Sequence, residues 1–185
     1  AWWLQRRTET ARPLEEKMTL FWHGLLTSGL DKSGPAQLFV QNALYRRMAL
    51  GNFDELLQAV SKDPAMMVYR DTETNRKGKP NENYARELME LHTLGVNTGY
   101  TQNDVHELAR ILTGWTVGLQ QGEAFRFVER QHDKGDKVLL GRTFTANGTR
   151  EGDDAIRMLA RQPATAQRIA RRLADTFVTD QPPKA

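Results

Sequence analysis

The sequence predicts a mainly α-helical, multi-helix, bundle-like domain of about eight helices, with one small β-hairpin near residues 125–144. Apolar residues recur every three or four positions along most of the chain, and a proline or a capping residue precedes most of these stretches. Strand-type alternation occurs in one region only, so no parallel sheet is expected. The 185 residues, 39% of them hydrophobic, suffice for a single domain over residues 1–185 with a substantial core.

Helical patterns follow one another through the first half of the chain. Trp2 and Trp3 are unusual for a chain terminus and typical of the middle of a helix, so we expect the chain to be a piece of a longer domain. Further helices open with a proline or a capping residue and continue with apolar residues at helical spacing. They begin at Pro13, Pro35, Asn52 and Asp63.

The middle of the chain combines a polar loop with a strongly patterned helix. Residues 71–80 contain no apolar residue apart from the closing proline and are predicted to form an exposed loop that proteases reach first. Residues 81–95 then form a helix that ends at Gly95, a residue suited to a left-handed helix terminus. The predicted inner face of this helix is formed by Tyr84, Leu88 and Leu91.

The last third begins and ends with helices. Thr101 opens a helix whose first turn resembles a capping box and which ends at Gly114. Phe125 and Phe127 then alternate along a predicted strand. The remaining predicted elements are a partner strand within 138–144 and helices over 152–161 and 163–177.

The composition limits which partners and which kinds of site are expected. Lys and Arg total 26 against 23 Asp and Glu, so the net charge of +3 is small and nucleic acid is not expected as a partner. Basic clusters such as residues 76–79 are interpreted as solvated loops and helix faces, because no aromatic residues interleave them. The absence of cysteine excludes disulfides, zinc thiolate sites and thiol nucleophiles. No apolar run approaches the ~18 residues that span a bilayer, so no membrane span is expected.

Motifs of common enzyme classes are missing as well. The chain contains no G-x-S-x-G elbow, no G-x-x-x-x-G-K-[ST] phosphate loop and no G-x-G-x-x-G fingerprint. Serine hydrolases of that type, P-loop enzymes and Rossmann enzymes are therefore not indicated.

The helix over residues 81–95 is the first candidate for a functional site. On it, Asn83, Glu87 and Glu90 share a face next to the apolar stripe. Two carboxylates on one face can bind a divalent cation, or can act as an acid and a base where their surroundings separate their pKa values. The carboxylates therefore permit a catalytic interpretation of this helix.

A salt ladder is the alternative interpretation of the same helix. Glu82 and Arg86, and likewise Arg86 and Glu90, are opposite charges four residues apart, and each such pair stabilises a helix by about 0.2–0.5 kcal/mol. Charge patterns on helices are more often solvated faces than active sites. The sequence alone leaves both interpretations open.

The histidines could add metal ligands only from separate segments. His92 follows Glu90 by two residues and lies on another face of the helix, so these two side chains cannot bind one ion. His23 on the helix from Pro13 and His132 in a polar turn are the other candidates. For His23 and His92 the alternative is a hydrogen-bonded packing residue, and for His132 it is a turn that needs Asp and Gly for its backbone.

With these residues in view, the chain resembles the bacterial family catalogued as domain of unknown function 1800. The resemblance covers nearly the whole chain, and several motifs appear in the family's order and spacing. The motifs are PLEEKMTLFWHG at 13–24, MALGNFDELLQAVSKDPAMMVY at 48–69, NENYARELMELHTLGV at 81–96, YTQNDVHELARILTGW at 100–115 and HDKGDKVLLG at 132–141. The family's usual domain is much longer, and the chain matches its central part.

The resemblance implies a location and a site more than a reaction, because the family has no established activity. It implies an exported or periplasmic protein, with a sulfatase-like protein as partner. The family's polar motif positions correspond here to His23, Asn81, Glu82, Asn83, Arg86, Glu87, Glu90, Glu107, Arg110, His132, Asp133 and Lys137.

Two positions depart from the family pattern. The family typically has a second histidine where this chain has Leu25, so a His-x-His metal pair would be impaired here. The family often has phenylalanine where His92 stands, which argues against His92 as a ligand.

Two hypotheses of different classes follow. The first is a hydrolase that uses a divalent metal or acid/base chemistry at a polar site centred on residues 81–95. Its candidate catalytic residues are Glu87, Glu90, His132 and Asp133, its binding residues are Asn83, Arg86, Glu107, Arg110 and Lys137, and its metal ligands are His23, Glu87 and His132. The second is a non-enzymatic interaction or scaffold domain in which these charges fix the packing of the helices.

Overall fold

The structure is a computed structural model that describes residues 2–118 and 124–179. The predicted mainly helical class is confirmed. In the described residues the α-helices are α1 (Trp2–Glu9), α2 (Pro13–Leu25), α3 (Pro35–Arg47), α4 (Phe53–Ser61), α5 (Pro64–Tyr69), α6 (Glu82–Glu87), α7 (Gln102–Ile111), α8 (Thr149–Ala160) and α9 (Pro163–Phe177). No helix of the described ranges is both long and apolar enough to cross a membrane.

The helix starts reflect the signals in the sequence. Proline stands at the first helical position of α2, α3, α5 and α9. Asn52 and Asp63 accept hydrogen bonds from the first turns of α4 and α5, and Thr101 forms a capping box with Asp104 at α7. These bonds satisfy amide donors that have no partner within the helix.

The strand region differs from the predicted single hairpin near 125–144. The strands form two antiparallel ribbons, because each strand pairs with its own neighbour in sequence. β1 (Trp115–Val117) pairs with β2 (Phe125–Phe127), and β3 (Lys137–Leu139) pairs with β4 (Arg142–Phe144). Leu140 and Gly141 close the second ribbon with φ of 49° and 77°, which is the backbone of a tight two-residue hairpin turn.

The predicted helix over residues 81–95 is α6 followed by a π-helical turn, Leu88–His92. In this wider turn the inner face passes through Leu88, Met89 and His92, whereas Leu91 is 39% exposed. The prediction that Leu91 belongs to the buried stripe is therefore wrong, because it assumed a regular α-helical period. Gly95 ends the segment with φ of 96°, as its position predicts.

The loop over residues 71–80 is exposed at its tip but fixed at its base. The side chain of Asn75 is buried, donates to the Ala109 carbonyl oxygen at 2.8 Å and accepts from the Asn81 amide at 2.9 Å. The Lys77 amide donates to the Gln131 carbonyl oxygen at 2.7 Å. The tip, residues 76–79, is thereby held in one position between α6 and the segment before β3.

α1 attaches to the body through one buried carboxylate. Glu16 on α2 is 2% exposed, and its Oε1 lies 2.6 Å from Nε of Arg46 and 2.6 Å from Nε of Arg6. The Arg46 guanidinium beside it lowers the pKa of Glu16 from 4.5 to about 2. No residue of α1 is buried, so this ion cluster and the tryptophans hold the helix in place.

Candidate functional site

Two of the segments selected from the sequence, 100–115 and 132–141, meet the start of α8 in a buried charge network. His132 precedes β3, Lys137 begins it, and Glu151 lies in the first turn of α8. Nε2 of His132 lies 3.0 Å from Oε2 of Glu151, and Nζ of Lys137 lies 2.8 Å from its Oε1. The side chains of His132, Lys137 and Glu151 are 1%, 0% and 0% exposed, so the protein encloses all three.

The hydrogen bonds of His132 fix where its protons lie. Nδ1 lies 2.8 Å from the Thr113 carbonyl oxygen, which can only accept, so Nδ1 carries a proton. On the other side, Nε2 and the carboxyl group of Glu151 need one proton between them.

The network has a second half, in which Arg110 pairs with Glu107 and Asp133. Its Nη1 donates to both oxygens of Glu107, at 2.8 and 2.9 Å, and its Nε donates to Asp133 at 2.9 Å. The Arg110 guanidinium lowers the pKa of Asp133, and the same bond raises the pKa of Arg110. Oε2 of Glu107 also accepts from the Val138 amide at 2.9 Å, so the cluster ties α7 to β3.

The acidic and basic side chains of the network pair with one another. Lys137 also donates to the Asp133 carbonyl oxygen, which connects the two halves. Lys137 and Arg110 face the carboxyl groups of Glu107, Asp133 and Glu151, and His132 shares a hydrogen bond with Glu151. His132 borders a 370 Å³ cavity at the start of α8, but both of its ring nitrogens are occupied. This arrangement fits a structural role, and the predicted catalytic role of His132 and Asp133 stays a prediction.

The predicted polar face of α6 meets the segment that follows α5. Asn83 donates to Oδ2 of Asp71 at 3.3 Å, and Oε1 of Glu87 lies 3.1 Å from Arg70. The Arg70 and Glu87 side chains are 15% and 22% exposed. The other carboxylate oxygen of Glu87, Oε2, is buried and accepts no hydrogen bond from a described residue.

The salt ladder on α6 forms in part. Arg86 lies 3.0 Å from Glu82, as the four-residue spacing predicts, but its other hydrogen bond goes to Gln102 of α7 at 2.9 Å. No Arg86–Glu90 ion pair occurs among the described residues, because Glu90 belongs to the π-helical turn. Glu82 also accepts from Gln102 at 2.6 Å, so the ladder connects α6 to α7.

The three predicted metal ligands have different partners. His23 packs against the rings of Trp3 and Tyr45, and burial lowers its pKa. Glu87 pairs with Arg70, and His132 with Glu151. Within the described ranges no group of three or more His, Asp or Glu residues could hold a metal ion. The divalent metal stays a prediction without support from this geometry.

A polar cleft opens beside the start of α6. It has a volume of about 810 Å³, and its walls come from the loop before α6 and from the first residues of the helix. Its lining residues are Glu73, Thr74, Arg76, Lys79, Pro80, Asn81 and Glu82. Burial raises the pKa of Glu73, whose Oε2 is buried without a hydrogen-bond partner among the described residues.

Sequence reasoning missed the partners that give these residues their roles. Glu151 lies just before the predicted helix over 152–161, Arg70 lies near the end of the predicted helix from Asp63, and Glu73 lies in the predicted exposed loop over 71–80. Glu151 could have been suspected from its position, since acids favour the first turn of a helix. Arg70 and Glu73 carry no comparable local signal.

The comparisons with known proteins give a family and no activity. The family model described as "Protein of unknown function (DUF1800)" matches residues 1–185. No curated protein and no solved structure matches the chain. The family description assigns no reaction, so the function must be argued from the geometry.

Proposed function

Because the chain belongs to the DUF1800 family, whose description gives no function, we propose from its geometry that it is a protein-interaction domain. Its docking surface is the outer face of α3, and its partner is an acidic amphipathic helix of another protein. The exposed apolar side chains of this face are the observation that carries the proposal.

α3 is apolar on two faces. Leu44 and Tyr45 point into the core, where they are 8% and 0% exposed. The opposite face carries Phe39 and Val40, which are 57% and 60% exposed. A helix at the surface of a domain usually has one apolar face, so the second one needs a partner.

The outer face has the spacing of a helix-packing surface. Exposed residues recur at intervals of four and three, which is the seam that a second helix packs against. They are Ala36, Phe39, Val40, Ala43 and Arg47. The alanines leave room between Phe39 and Val40 for the side chains of a partner helix.

The charge of this surface selects the partner. α3 contains no acidic residue and ends in Arg46 and Arg47, and Arg47 forms no ion pair with a described residue. Trp2 extends the apolar surface, with its ring centroid 5.1 Å from that of Phe39. Acidic flanks on a partner helix would complement Arg47, whereas a second copy of the same face would bring a like charge against it.

Two amphipathic peptides of about 14 residues with the same leucine face, one flanked by glutamate and one by lysine, test the proposal by fluorescence anisotropy. The acidic peptide should bind at least about tenfold more tightly than the basic one. Val40→Glu should abolish the binding, while Leu30→Glu, a control at a site 66% exposed outside α3, should leave it unchanged. Equal affinity for both peptides would overturn the proposal, as would dimerisation through the Val40 face.

The sulfatase-like protein implied by the family resemblance is a natural protein to test on the same surface. The exported location implied by that resemblance stays a prediction.

A hydrolase is the second candidate, and one atom favours it. Oε2 of Glu87 is buried without a partner among the described residues, as the oxygen of a general base could be before substrate arrives. In this proposal Glu87 and Glu90 are the acid/base pair, with His132 and Asp133 as further groups. Hydrolysis of a panel of nitrophenyl esters that is lost in Glu87→Gln, with stability unchanged, would support it. Elemental analysis of the purified protein tests its metal-dependent form.

A further inference from the structure

Two cations of the cleft beside α6 lie next to each other and have no ion partner within residues 2–118 and 124–179. Arg76 and Lys79 face each other across a tight turn, in which the Lys79 amide donates to the Arg76 carbonyl oxygen at 2.9 Å. Neither side chain forms an ion pair or a hydrogen bond with a described residue. Like charges directly opposite each other destabilise a ribbon, so this pair calls for an anion between them.

The turn that carries these cations is fixed before any ligand arrives. Asn75 anchors its base in the core, and the Lys77 amide anchors its tip to the Gln131 carbonyl oxygen. Because the turn is already held in place, binding of a ligand costs less conformational entropy. Lys77 lies on the same turn but does not line the cleft, which provides a matched control.

The other polar groups of the cleft are already engaged. The amide group of Asn81 donates to the Asp71 carbonyl oxygen at 3.0 Å and to Thr74 at 2.8 Å. The carboxylate of Glu82 is bound by Arg86 and Gln102. Glu73 is the remaining carboxylate, and it forms no ion pair with a described residue. A ligand therefore meets two cations and one carboxylate that form no ion pair within the part of the chain that the structure describes.

A carboxylate in an anion site selects among oxyanions. It repels an oxyanion without a proton, but it accepts a hydrogen bond from one that carries a hydroxyl group. Hydrogen phosphate has such a group at neutral and mildly alkaline pH, whereas sulfate has none. We propose that the cleft binds a protonated phosphate group, with Arg76 and Lys79 as its cationic contacts and Glu73 as the acceptor that discriminates against sulfate.

Free phosphate and a phosphate monoester can be distinguished by the pH at which each loses its proton. Free inorganic phosphate keeps its hydroxyl group at pH 8, whereas a phosphate monoester has lost its proton there. Stronger binding of inorganic phosphate than of methyl phosphate at pH 8 would assign free phosphate, because the deprotonated methyl ester has no hydroxyl group to donate. If the phosphate hydroxyl group donates to Glu73, inorganic phosphate and the monoester should bind equally at pH 6. At pH 8 the monoester should bind more weakly than inorganic phosphate.

Calorimetric titration at pH 8 and constant ionic strength, with inorganic phosphate and with sulfate, tests the proposal. The protein should bind phosphate at least about tenfold more tightly than sulfate. Arg76→Gln with Lys79→Gln should abolish binding, Lys77→Gln should retain it, and Glu73→Gln should bind both anions alike because an amide can donate. Circular dichroism checks that each variant folds.

Three results would overturn the proposal: equal affinity for phosphate and sulfate, the same loss in Lys77→Gln as in the double variant, or no binding at millimolar phosphate. None of these results depends on the helix-docking surface of α3. Failure of one proposal therefore leaves the other intact.

Discussion

The buried network around Glu151 and the cleft around Glu73 contain the same kinds of side chain in opposite situations. In the network, Lys137 and Glu151 are fully buried and each has a charged partner. In the cleft, Arg76 and Lys79 are exposed and have no ion partner among the described residues. The difference indicates that the network stabilises the fold and that the cleft is available to a ligand.

This contrast reverses the ranking that the sequence suggests. His132, Asp133 and Lys137 belong to the motifs that look catalytic, yet the structure encloses or pairs them. The sequence predicts a solvated loop over residues 76–79, yet Arg76 and Lys79 of this loop line an open cleft and have no ion partner among the described residues. Partners and exposure decide the role of a charge, and the residue type alone does not.

The largest expected effect is at Glu151. Glu151→Gln removes the carboxylate that faces both His132 and Lys137, and it leaves the buried ammonium group of Lys137 without its charged partner. We expect the free energy of unfolding to fall by about 3–5 kcal/mol, measured by urea denaturation. The control Glu129→Gln breaks an exposed pair with Lys134 and should leave the free energy of unfolding nearly unchanged. Equal stability of the two variants would contradict the structural role of the network.

A second prediction concerns the effect of the buried histidine His92 on stability. Burial lowers the pKa of His92 from 6.5 to about 3, and its Nδ1 has no hydrogen-bond partner among the described residues. The unfolded chain binds a proton at His92 below pH 6.5 while the folded protein does not, so this group costs stability as the pH falls from 6.5 toward 3. At pH 5 the cost is about 2 kcal/mol.

His92→Phe should remove this cost. Urea denaturation between pH 5 and pH 8 should show a flatter dependence of stability on pH for the variant than for the parent protein. Parallel curves for the two proteins would show that His92 has a solvated or paired ring.

A third prediction concerns the pair between α6 and the end of α5. Glu87→Gln weakens the contact with Arg70, whose side chain is only 15% exposed, and should lower the free energy of unfolding by about 1–2 kcal/mol. A thermal melt measures the effect. An unchanged melting temperature combined with a lost hydrolytic activity would favour the hydrolase over the interaction domain.

The smallest change in stability is expected when the exposed salt ladder on α6 is broken. Glu82→Gln weakens the ion pair with Arg86, whose side chain is 44% exposed, and should cost about 0.2–0.5 kcal/mol. High salt should reduce the difference further, because exposed pairs are screened. A decrease of more than about 2 kcal/mol in the free energy of unfolding would indicate that Glu82 behaves like the residues of the buried network instead.

Local sequence signals account for most of the helical architecture. Pro13, Pro35 and Pro163 mark the starts of helices, and Asn52 and Thr101 act as their caps, because these preferences arise within one or two turns of chain. The pairing of the strands and the π-helical turn carry no such signal. Both depend on what the rest of the molecule packs against them.

The candidate site was predictable only in its separate parts. The sequence indicates Glu107, Arg110 and His132 as polar motif residues, and the structure places them in one network. It does not indicate Glu151 as the partner of His132, nor Arg70 as the partner of Glu87, because such pairs join distant segments. Hydrophobic periodicity determines which face of a helix is buried, not which charge lies opposite.

The most direct test compares two lysines in one urea denaturation experiment. Lys137→Met removes a buried ammonium group from Glu151 and Asp133, whereas Lys79→Met removes an exposed one from the cleft. We expect Lys137→Met to lower the free energy of unfolding by about 3–5 kcal/mol and Lys79→Met to change it by no more than about 0.5 kcal/mol. Equal losses, or a Lys137→Met protein as stable as the parent, would contradict the division between a structural network and an open cleft.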